Sequence, residues 1–430
     1  MKGKIGRQMA RCKRRILYRL DKSKVGDCDR PIHTASNIHY ELSDRKRGIA
    51  HGGIGAFHLL AKRIGLIAAI DKNLHLLKFH LPYHESDHVL NLAYNALCDG
   101  TCLQDLELRR QDEVYLDALG ARRIPDPTTA GDFCRRVRAS DVRVLMETFN
   151  EVRRKVWSRQ PREFFDLARI DMGTMVETAG ECKSGVDINH EGKWGYHPLV
   201  VSLAQTGEIL SVINRPGNRP SHEGAAAEID RAIQVCLAGG FRNVMLRGDT
   251  DFSQTKHLDR WNADERVKFI FGFDSTKKRI VLAEDLPEDA WRPLNRPARY
   301  EIKTKKRARP ANVKEQIVQQ RKFDNIRLQG EEVAQLPYRP GACTKVYRLI
   351  VVRKNLTYSM GQKRLFDEYR YFFYLTNEKE RSAQEMVFEA NQRCNQENLH
   401  AQLKQGVCAL TVPVDTMEAN WAYMVMTSLV

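Results

Sequence analysis

The stretch from residue 164 to residue 252 constrains the fold more than any other part of the chain, because its apolar runs are short and separated by turn signals. We expect four strands there: 165–176, 196–203, 209–213 and 243–246. The turn Gln205-Thr206-Gly207 joins the second strand to the third, and an amphipathic helix from Ala225 to about Leu237 precedes the fourth. Three consecutive antiparallel strands, a helix and a further strand predict an α/β fold with helices flanking a mixed sheet.

Two aspartates of this stretch lie in a predicted strand or directly after one. Asp171 lies in the first strand, and Asp249 follows the fourth strand directly. In α/β sheets, ligands bind beyond the carboxyl ends of the strands, so acidic side chains at such positions are candidates for a shared site. A strand-end aspartate is more often a turn or cap residue, and either one alone would carry little weight.

A third acid lies on a helix predicted for residues 390–404. At about 100° per residue, Arg393, Glu397 and Lys404 fall on one narrow stripe of that helix. An exposed ion pair worth roughly a few tenths of a kcal/mol would explain the stripe by itself. Together with the two aspartates, however, Glu397 completes the order Asp, Asp, Glu. Three carboxylates that converge on one site would suit Mg²⁺.

The charge of the chain favours a polyanionic partner. Lysine and arginine number 70 against 54 for aspartate and glutamate, which gives a net charge of +16 and an isoelectric point near 9.4. Nucleic acid and an anionic membrane are the two candidates. No apolar run reaches the ~20 residues that a membrane span needs, since Lys62 and Arg63 interrupt the best one. We therefore expect nucleic acid as the partner and no membrane association.

The cysteines bear on the cellular compartment. Ten are scattered along the chain, and none shows the paired spacing of a zinc site. The N-terminus begins with lysines and arginines and has no uncharged apolar stretch behind them, which does not fit a secretory signal. We expect reduced thiols in a cytoplasmic protein.

The terminal regions show charge and helical patterns but no visible chemistry. Residues 1–25 hold ten lysines or arginines and one acid, so this basic arm either tracks phosphates or is a solvated tail. Residues 26–160 show the apolar spacing of helices, and we expect an α-helical domain for DNA contact or dimerisation. Residues 411–430 are expected to form a C-terminal helical region, whose apolar end is compatible with a truncated chain.

The interval between Asp249 and Glu397 is longer than one α/β core needs. We expect the first part of the core at 161–275, a mainly β insertion domain at 276–369, and the last strand and the Glu397 helix of the core at 370–410. The insertion contains a basic cluster that either contacts DNA or is a solvated loop: Lys303, Lys305, Lys306, Arg307 and Arg309.

Three motifs of the chain resemble those of DDE insertion-sequence transposases. Asp171 in Arg-Ile-Asp-Met-Gly-Thr and Asp249 in Leu-Arg-Gly-Asp-Thr-Asp-Phe look like the first two, and Arg393-x3-Glu397-x6-Lys404 looks like the third. Longer strings are similar to the group of these transposases numbered thirteen-eighty: 192–199, 214–221 and 420–424. The similarity extends from about residue 30 to the end of the chain.

The resemblance implies an RNase H-like catalytic core and assigns roles to the motif residues. Asp171, Asp249 and Glu397 would be the catalytic residues and the ligands of two Mg²⁺ ions, for which Mn²⁺ can substitute. Arg393 and Lys404 would bind DNA phosphates. These roles are carried over from the family to the matching positions of this sequence.

Two positions complicate the match to the family. The family motif often has a tyrosine three residues before the arginine, and this chain has Ala390 there, so a base-stacking role is not carried over. Asp251 is a second candidate for the middle ligand, although Asp249 occupies the position that the family uses.

The resemblance also implies cut-and-paste movement of a DNA element in the bacterial cytoplasm, with the protein at the nucleoid when it is bound to DNA. The enzyme would cut double-stranded DNA at terminal inverted repeats and join the freed 3′-hydroxyl ends to target DNA, as a homodimer on DNA. A hairpin intermediate is implied by related subgroups only. Two other functions stay open: an RNase H-like nuclease that cuts without strand transfer, and a non-catalytic DNA-binding relic.

Overall fold

The computed structural model describes residues 2–19, 50–78, 82–296, 313–322, 324–360 and 363–429. The chain divides into two compact units, Met1–Gly48 and Ile49–Val430. The first unit contains helix α1 (Lys2–Arg19), which carries most cations of the predicted basic arm. The rest of that arm and the basic cluster predicted for the insertion lie outside the described residues.

Helices account for the regular structure of the second unit between residues 50 and 165, in agreement with the helical pattern of the sequence. They are α2 (Ile54–Arg63), α3 (Leu66–Asn73), α4 (Glu85–Leu97), α5 (Leu106–Arg110), α6 (Glu113–Leu119), α7 (Pro127–Arg136) and α8 (Ala139–Trp157), with 3₁₀ turns at Leu103–Asp105 and Arg162–Phe165. The start of α7 follows from local chemistry. Asp126 accepts a hydrogen bond from the backbone nitrogen of Thr129 at 2.9 Å, and Pro127 takes the first helical position.

A mixed sheet of nine strands lies at the centre of the described part of the second unit. Its strands are β1 (Ala168–Thr174), β5 (Leu199–Leu203), β6 (Glu208–Ile213), β7 (Val244–Gly248), β8 (Val267–Phe273), β9 (Arg292–Pro293), β10 (Asp324–Tyr338), β11 (Tyr347–Met360) and β12 (Lys363–Thr376). Across the sheet the order is β6-β5-β1-β7-β8-β12-β11-β10-β9. A small second sheet contains β2 (Glu177–Thr178), β4 (Trp194–Tyr196) and β3 (Asp187–Ile188), in that order.

In the sheet, β1 has one antiparallel and one parallel neighbour. β5 pairs with β1 in the antiparallel sense, and β6 continues as the hairpin partner of β5. β7 pairs with β1 in the parallel sense, and β8 pairs with β7 in the same sense. The four predicted strands are confirmed, with differences at the ends of the first two. β1 covers only 168–174 of the predicted 165–176, and Tyr196 belongs to β4, so that β5 begins only after Pro198.

Helices cover both faces of the sheet. The helices that follow β6 are α9 (Ala225–Ala238), α10 (Thr255–Trp261), α11 (Lys277–Glu284), α12 (Val313–Gln320), α13 (Ala383–Gln392), α14 (Asn395–Ala401) and α15 (Met417–Thr427), with 3₁₀ turns at Thr250–Phe252 and Glu288–Ala290. Ile229 of α9 packs in one apolar cluster with Ile170 of β1. Met386 of α13 packs in another cluster with Met245 of β7 and Ile270 of β8. Since successive side chains of a strand point to opposite faces, α9 and α13 cover opposite faces of the sheet.

The C-terminal helix α15 connects the helical region to the sheet. It packs against α4, α7 and α8, and its apolar side chains belong to the same buried cluster as theirs. Trp421 of α15 donates a hydrogen bond from Nε1 to the backbone oxygen of Val212 in β6, at 2.6 Å. This helix therefore holds the helical region against the edge of the sheet that β6 forms.

The strands of the predicted insertion extend the central sheet. β12 pairs with β8 through its last residues, Phe373 to Thr376, and β11 and β10 follow in antiparallel order. The last core strand predicted at 370–377 is therefore the end of β12, and the sheet is continuous from core to insertion. The domain boundaries at 275 and 369 stay predictions.

The helix predicted for residues 390–404 is interrupted twice, which differs from the single regular helix of the sequence analysis. α13 ends at Gln392, and Arg393 and Cys394 form a turn before α14 begins. After α14, residues Gln402–Gly406 form a π-helical turn. A π turn holds an extra residue, so a stripe drawn at 100° per residue does not run straight through this stretch.

Among the described residues, none of the helices is long and apolar enough to cross a membrane.

Candidate active site

The carboxyl ends of β1 and β7 lie side by side and bring a buried ion pair together. Asp171 on β1 is opposite Arg247 on β7 in the parallel register. Arg247 donates from Nε to Oδ1 of Asp171 at 2.6 Å and from Nη2 to Oδ2 at 2.7 Å. Both side chains are about 2% exposed. The fork of the guanidinium therefore engages both oxygens of the first predicted catalytic acid.

Arg247 also reaches a second buried carboxylate. Its Nη1 donates to Oε1 of Glu389 at 2.9 Å. Arg169 donates from Nε to the same oxygen at 2.8 Å, and Arg381 donates from Nη1 to Oε2 at 3.0 Å. We call these five residues the buried ion network: Asp171, Arg247, Glu389, Arg169 and Arg381.

The buried ion network is charged and carries an excess of positive charge. Burial disfavours a charged Arg247, but the hydrogen bonds and charges of Asp171 and Glu389 outweigh it and raise the pKa of Arg247 above its ordinary value. Burial would raise the pKa of Glu389, but the hydrogen bond and charge of Arg169, with those of Arg381 and Arg247, hold this pKa below its ordinary value. Burial raises the pKa of Asp171, and the hydrogen bond and charge of Arg247 oppose that shift. Three guanidinium groups thus face two carboxyl groups at the ends of β1 and β7.

The second predicted acid, Asp249, lies at the end of β7 and contacts Arg393. Oδ1 of Asp249 accepts a hydrogen bond from the backbone nitrogen of Asp251 at 3.1 Å, and Oδ2 accepts one from Nη2 of Arg393 at 3.2 Å. Arg393 also donates from Nη1 to the backbone oxygen of Met172 on β1 at 3.4 Å. Burial raises the pKa of Asp249, and the charge of Arg393 opposes that shift. Asp171, Asp249 and Arg393 are therefore brought to one end of the sheet.

The third predicted acid, Glu397, is exposed on α14. The residue beside it, Gln396, is buried instead, and its Nε2 donates to Oγ of Ser202 on β5 at 3.3 Å. His400, one turn further on, lies partly buried near Arg393, and these surroundings lower its pKa to about 4, chiefly through burial. The face of α14 that is turned to the sheet thus presents neutral groups, with Oε1 of Gln396 and Nε2 of His400 buried without a hydrogen-bond partner.

Lys404 lies in the π-helical turn and contacts the segment after β1. Its Nζ donates to the backbone oxygen of Val176 at 3.3 Å and forms an ion pair with Glu177 at 3.2 Å. Lys404 is about half exposed. It therefore remains open to a phosphate on the same side of β1 as Arg393.

A divalent metal ion does not fit these residues in the arrangement that the structure shows. Both oxygens of Asp171 are engaged by Arg247, and one oxygen of Asp249 is engaged by Arg393. Within the described ranges, no three Asp, Glu, His or Cys side chains form a group that could hold a metal ion, so Glu397 does not complete a site with the two aspartates.

Sequence analysis missed Arg247, Glu389, Gln396 and His400. Arg247 precedes Asp249 by two residues at the end of an apolar run, and Glu389 interrupts the apolar run of α13. A charged residue inside an apolar run signals a buried pair, because such a charge is tolerated in a core only when it is paired. Gln396 and His400 carry no comparable signal, since polar residues on a helix are usually exposed.

Gly173 allows α14 to lie close to β1, which gives a testable prediction. A Cβ atom at this position would lie 2.7 Å from Oε1 of Gln396 and 2.8 Å from Cε1 of His400. Gly173→Ala should therefore lower the free energy of unfolding by about 1–3 kcal/mol, the usual cost of overpacking. Gly180→Ala is the control, because no atom lies within 4 Å of its Cβ position. Urea denaturation of both variants measures the difference, and equal stabilities would contradict the close approach.

Comparison with known proteins identifies the family. A family model described as "Transposase DDE domain group 1" matches residues 44–430. The chain belongs to the DDE transposase family. Among solved structures, this DDE transposase is similar to a chain of the "Cryo-EM structure of piggyBac transposase synaptic complex with hairpin DNA", at 12% identity and a TM-score of 0.37, over 86% of this chain and 73% of that chain. That likeness is too low to carry a functional argument. No curated protein sequence matches the chain.

Membership of the family makes this chain a transposase that acts on DNA. DDE transposases typically use divalent metal ions, and the number and identity of such ions in this transposase stay predictions. The narrower assignment to the group numbered thirteen-eighty also stays a prediction.

Proposed function

We propose that this transposase cuts DNA at the terminal inverted repeats of an insertion sequence and joins the freed ends to target DNA. The observation that carries the proposal is the meeting of Asp171, Asp249 and Arg393 at the carboxyl ends of β1 and β7. Two acids and a cation at that edge of a sheet suit a phosphodiester substrate. The strand order around β1 supports the RNase H-like core that the sequence resemblance implies.

The chemistry proposed for the site is an in-line displacement at phosphorus, used twice. In cleavage, a water oxygen forms a bond to phosphorus, the bond to the 3′-oxygen breaks, and a 3′-hydroxyl leaves. In strand transfer, that 3′-hydroxyl attacks a phosphorus of the target strand and loses its proton, and the target's own 3′-oxygen leaves. The same site serves both reactions because only the attacking oxygen differs.

The side chains of the site have distinct roles in this proposal. Arg393 would turn from Asp249 to a phosphate and hold it in a fork, and Lys404 would hold a neighbouring phosphate as a point charge. Asp249, released from Arg393, would face the reacting phosphate, while Asp171 stays in its buried ion pair with Arg247 at the same end of the sheet. Glu397 would be the third acid, as its place in the family motif suggests. The carboxylates as arranged do not form a site for magnesium or manganese.

A strand-transfer assay tests the proposal. The inverted repeats are first read from the genomic sequence on either side of the coding region, and the full chain is then incubated with DNA that carries these ends and with a target plasmid, in Mg²⁺ and in Mn²⁺. We expect cleavage of the intact ends and joining of pre-cut ends that bear a 3′-hydroxyl. Cleavage without joined product would indicate a nuclease, and binding without cleavage would indicate a non-catalytic relic. Size-exclusion chromatography of the DNA complex tests the expected homodimer.

A further inference from the structure

We propose that Arg247 and Glu389 are positioning residues, which fix β1, β7 and α13 relative to one another and so set the geometry of Asp171, Asp249 and Arg393. The inference rests on the proposed function, because it concerns how that site is held in place. Neither residue is among the catalytic residues that the family resemblance assigns. Each is nearly inaccessible to solvent, so each acts through its neighbours rather than on DNA.

Arg247 ties the first two acids together. Its backbone belongs to β7, two residues before Asp249, and its fork holds both oxygens of Asp171 on β1. Two parallel hydrogen bonds fix the direction of a carboxylate as well as its distance, which a single bond would leave free. Lysine cannot make this fork, because its ammonium is a single point charge.

Glu389 links the Asp171–Arg247 pair to α13, the helix that ends directly before Arg393. It accepts a hydrogen bond from Arg247 through Oε1, and its backbone oxygen accepts a second, longer one at 3.3 Å. Arg169 also donates a hydrogen bond to Oε1 of Glu389, and Arg381 donates one to Oε2. Glu389 and Arg393 are separated by one helical turn, so a movement of Glu389 would be passed to the guanidinium that contacts Asp249.

Stability alone does not explain this network. Asp171, Arg247 and Glu389 are each about 2% exposed, so desolvation of these three charged groups is expensive, and apolar replacement of a buried ion pair is often neutral or stabilising. A buried network whose hydrogen bonds have fixed directions can hold catalytic side chains in place. A misplacement of about 1 Å in an active site can cost on the order of 10²-fold in rate. The network contains Asp171, and its Arg247 precedes Asp249 by two residues, so it lies where such geometry is needed.

Conservative variants test the inference on the full chain with DNA that carries the element's ends. Arg247→Lys keeps the charge and loses the fork, and Glu389→Gln keeps the shape and loses the charge. Each should lower the single-turnover cleavage rate by on the order of 10²-fold, with little change in DNA affinity. The double variant should be no slower than the slower single variant, since both act on the same acids through one contact.

Arg153→Lys is the matched control. Arg153 is also largely buried, with 13% of its side chain exposed, and it donates to Glu208 at 3.2 Å and to the backbone oxygen of Ile209 at 2.7 Å, at the β6 edge of the sheet and apart from the acids. Its variant should lose stability to a similar degree as Arg247→Lys and keep the wild-type cleavage rate. If Arg247 contributes only to stability, the cleavage rates of Arg247→Lys and Arg153→Lys should both follow their melting temperatures.

The outcomes separate failure of the inference from failure of the proposed function. If the wild-type chain cuts and Asp249→Asn does not, while Arg247→Lys and Glu389→Gln cut at the wild-type rate, the positioning role is overturned and the function stands. Strictly additive losses in the double variant, or losses that Arg153→Lys reproduces, also overturn it. If Asp249→Asn cuts as well as the wild type, the proposed site is wrong and the inference falls with it.

Discussion

Asp249→Asn is expected to lower DNA cleavage by about 10²- to 10³-fold, the usual loss when one group that acts on the transition state is removed. The fold should be retained. The side chain of Asp249 is 43% exposed, and its ion pair with Arg393 at 3.2 Å is partly solvated, so its loss should cost no more than ~1 kcal/mol of stability. DNA affinity should not fall, because the substitution removes a negative charge that faces the phosphates.

Cleavage rate, DNA binding and urea denaturation of the same preparation check this expectation. Asp264→Asn is a matched control, since Asp264 is a half-exposed aspartate paired with Arg266 at 2.7 Å in a turn before β8. Asp251→Asn distinguishes the two candidates for the middle acid. Loss of cleavage in Asp251→Asn together with full activity in Asp249→Asn would show that the wrong aspartate has been assigned.

Local patterns in the sequence predicted the strands around the site and the helix that covers one face. β1, β5, β6 and β7 were all predicted from short apolar runs, and α9 begins after Gly224 and ends at Gly239 as the turn signals indicate. These elements follow from periodicity and from turn residues, which act within a few positions of each other. The pairing of β8 with β12 joins residues about a hundred positions apart, and no local pattern contains it.

The candidate site was predicted only in part, for a physical reason. The sequence indicates that Asp171 lies in one strand and that Asp249 directly follows another, and acids at such positions of an α/β sheet are candidates for a shared site. It does not indicate that Arg247 engages Asp171, since that depends on the register of β1 against β7. Nor does it indicate which side of α14 faces the sheet. The turn at Arg393 changes the phase of the helix before α14, where Gln396 rather than Glu397 is buried, and the π turn changes it again at Lys404.

Asp171→Ala should destabilise the protein far more than any change at Asp249. Asp171 and Arg247 are each about 2% exposed, and removal of one partner leaves a buried guanidinium with one carboxylate fewer. Loss of one member of a buried pair typically costs about 3–5 kcal/mol, a large part of the ~5–15 kcal/mol that holds a protein of ordinary stability together. Loss of activity in Asp171→Ala would therefore report on folding as well as on chemistry.

The double variant Asp171→Leu, Arg247→Met separates these two contributions. It removes both charges and keeps apolar volume at both positions, and Glu389 still has Arg169 and Arg381 as partners. Its free energy of unfolding in urea should recover most of the loss of Asp171→Ala, because apolar replacement of a whole buried pair is often neutral or better. Its cleavage activity should remain absent. A double variant as unstable as Asp171→Ala would mean that the cost lies in packing and not in an unpaired charge, whereas a stable and inactive one would show that the loss of activity does not come from unfolding.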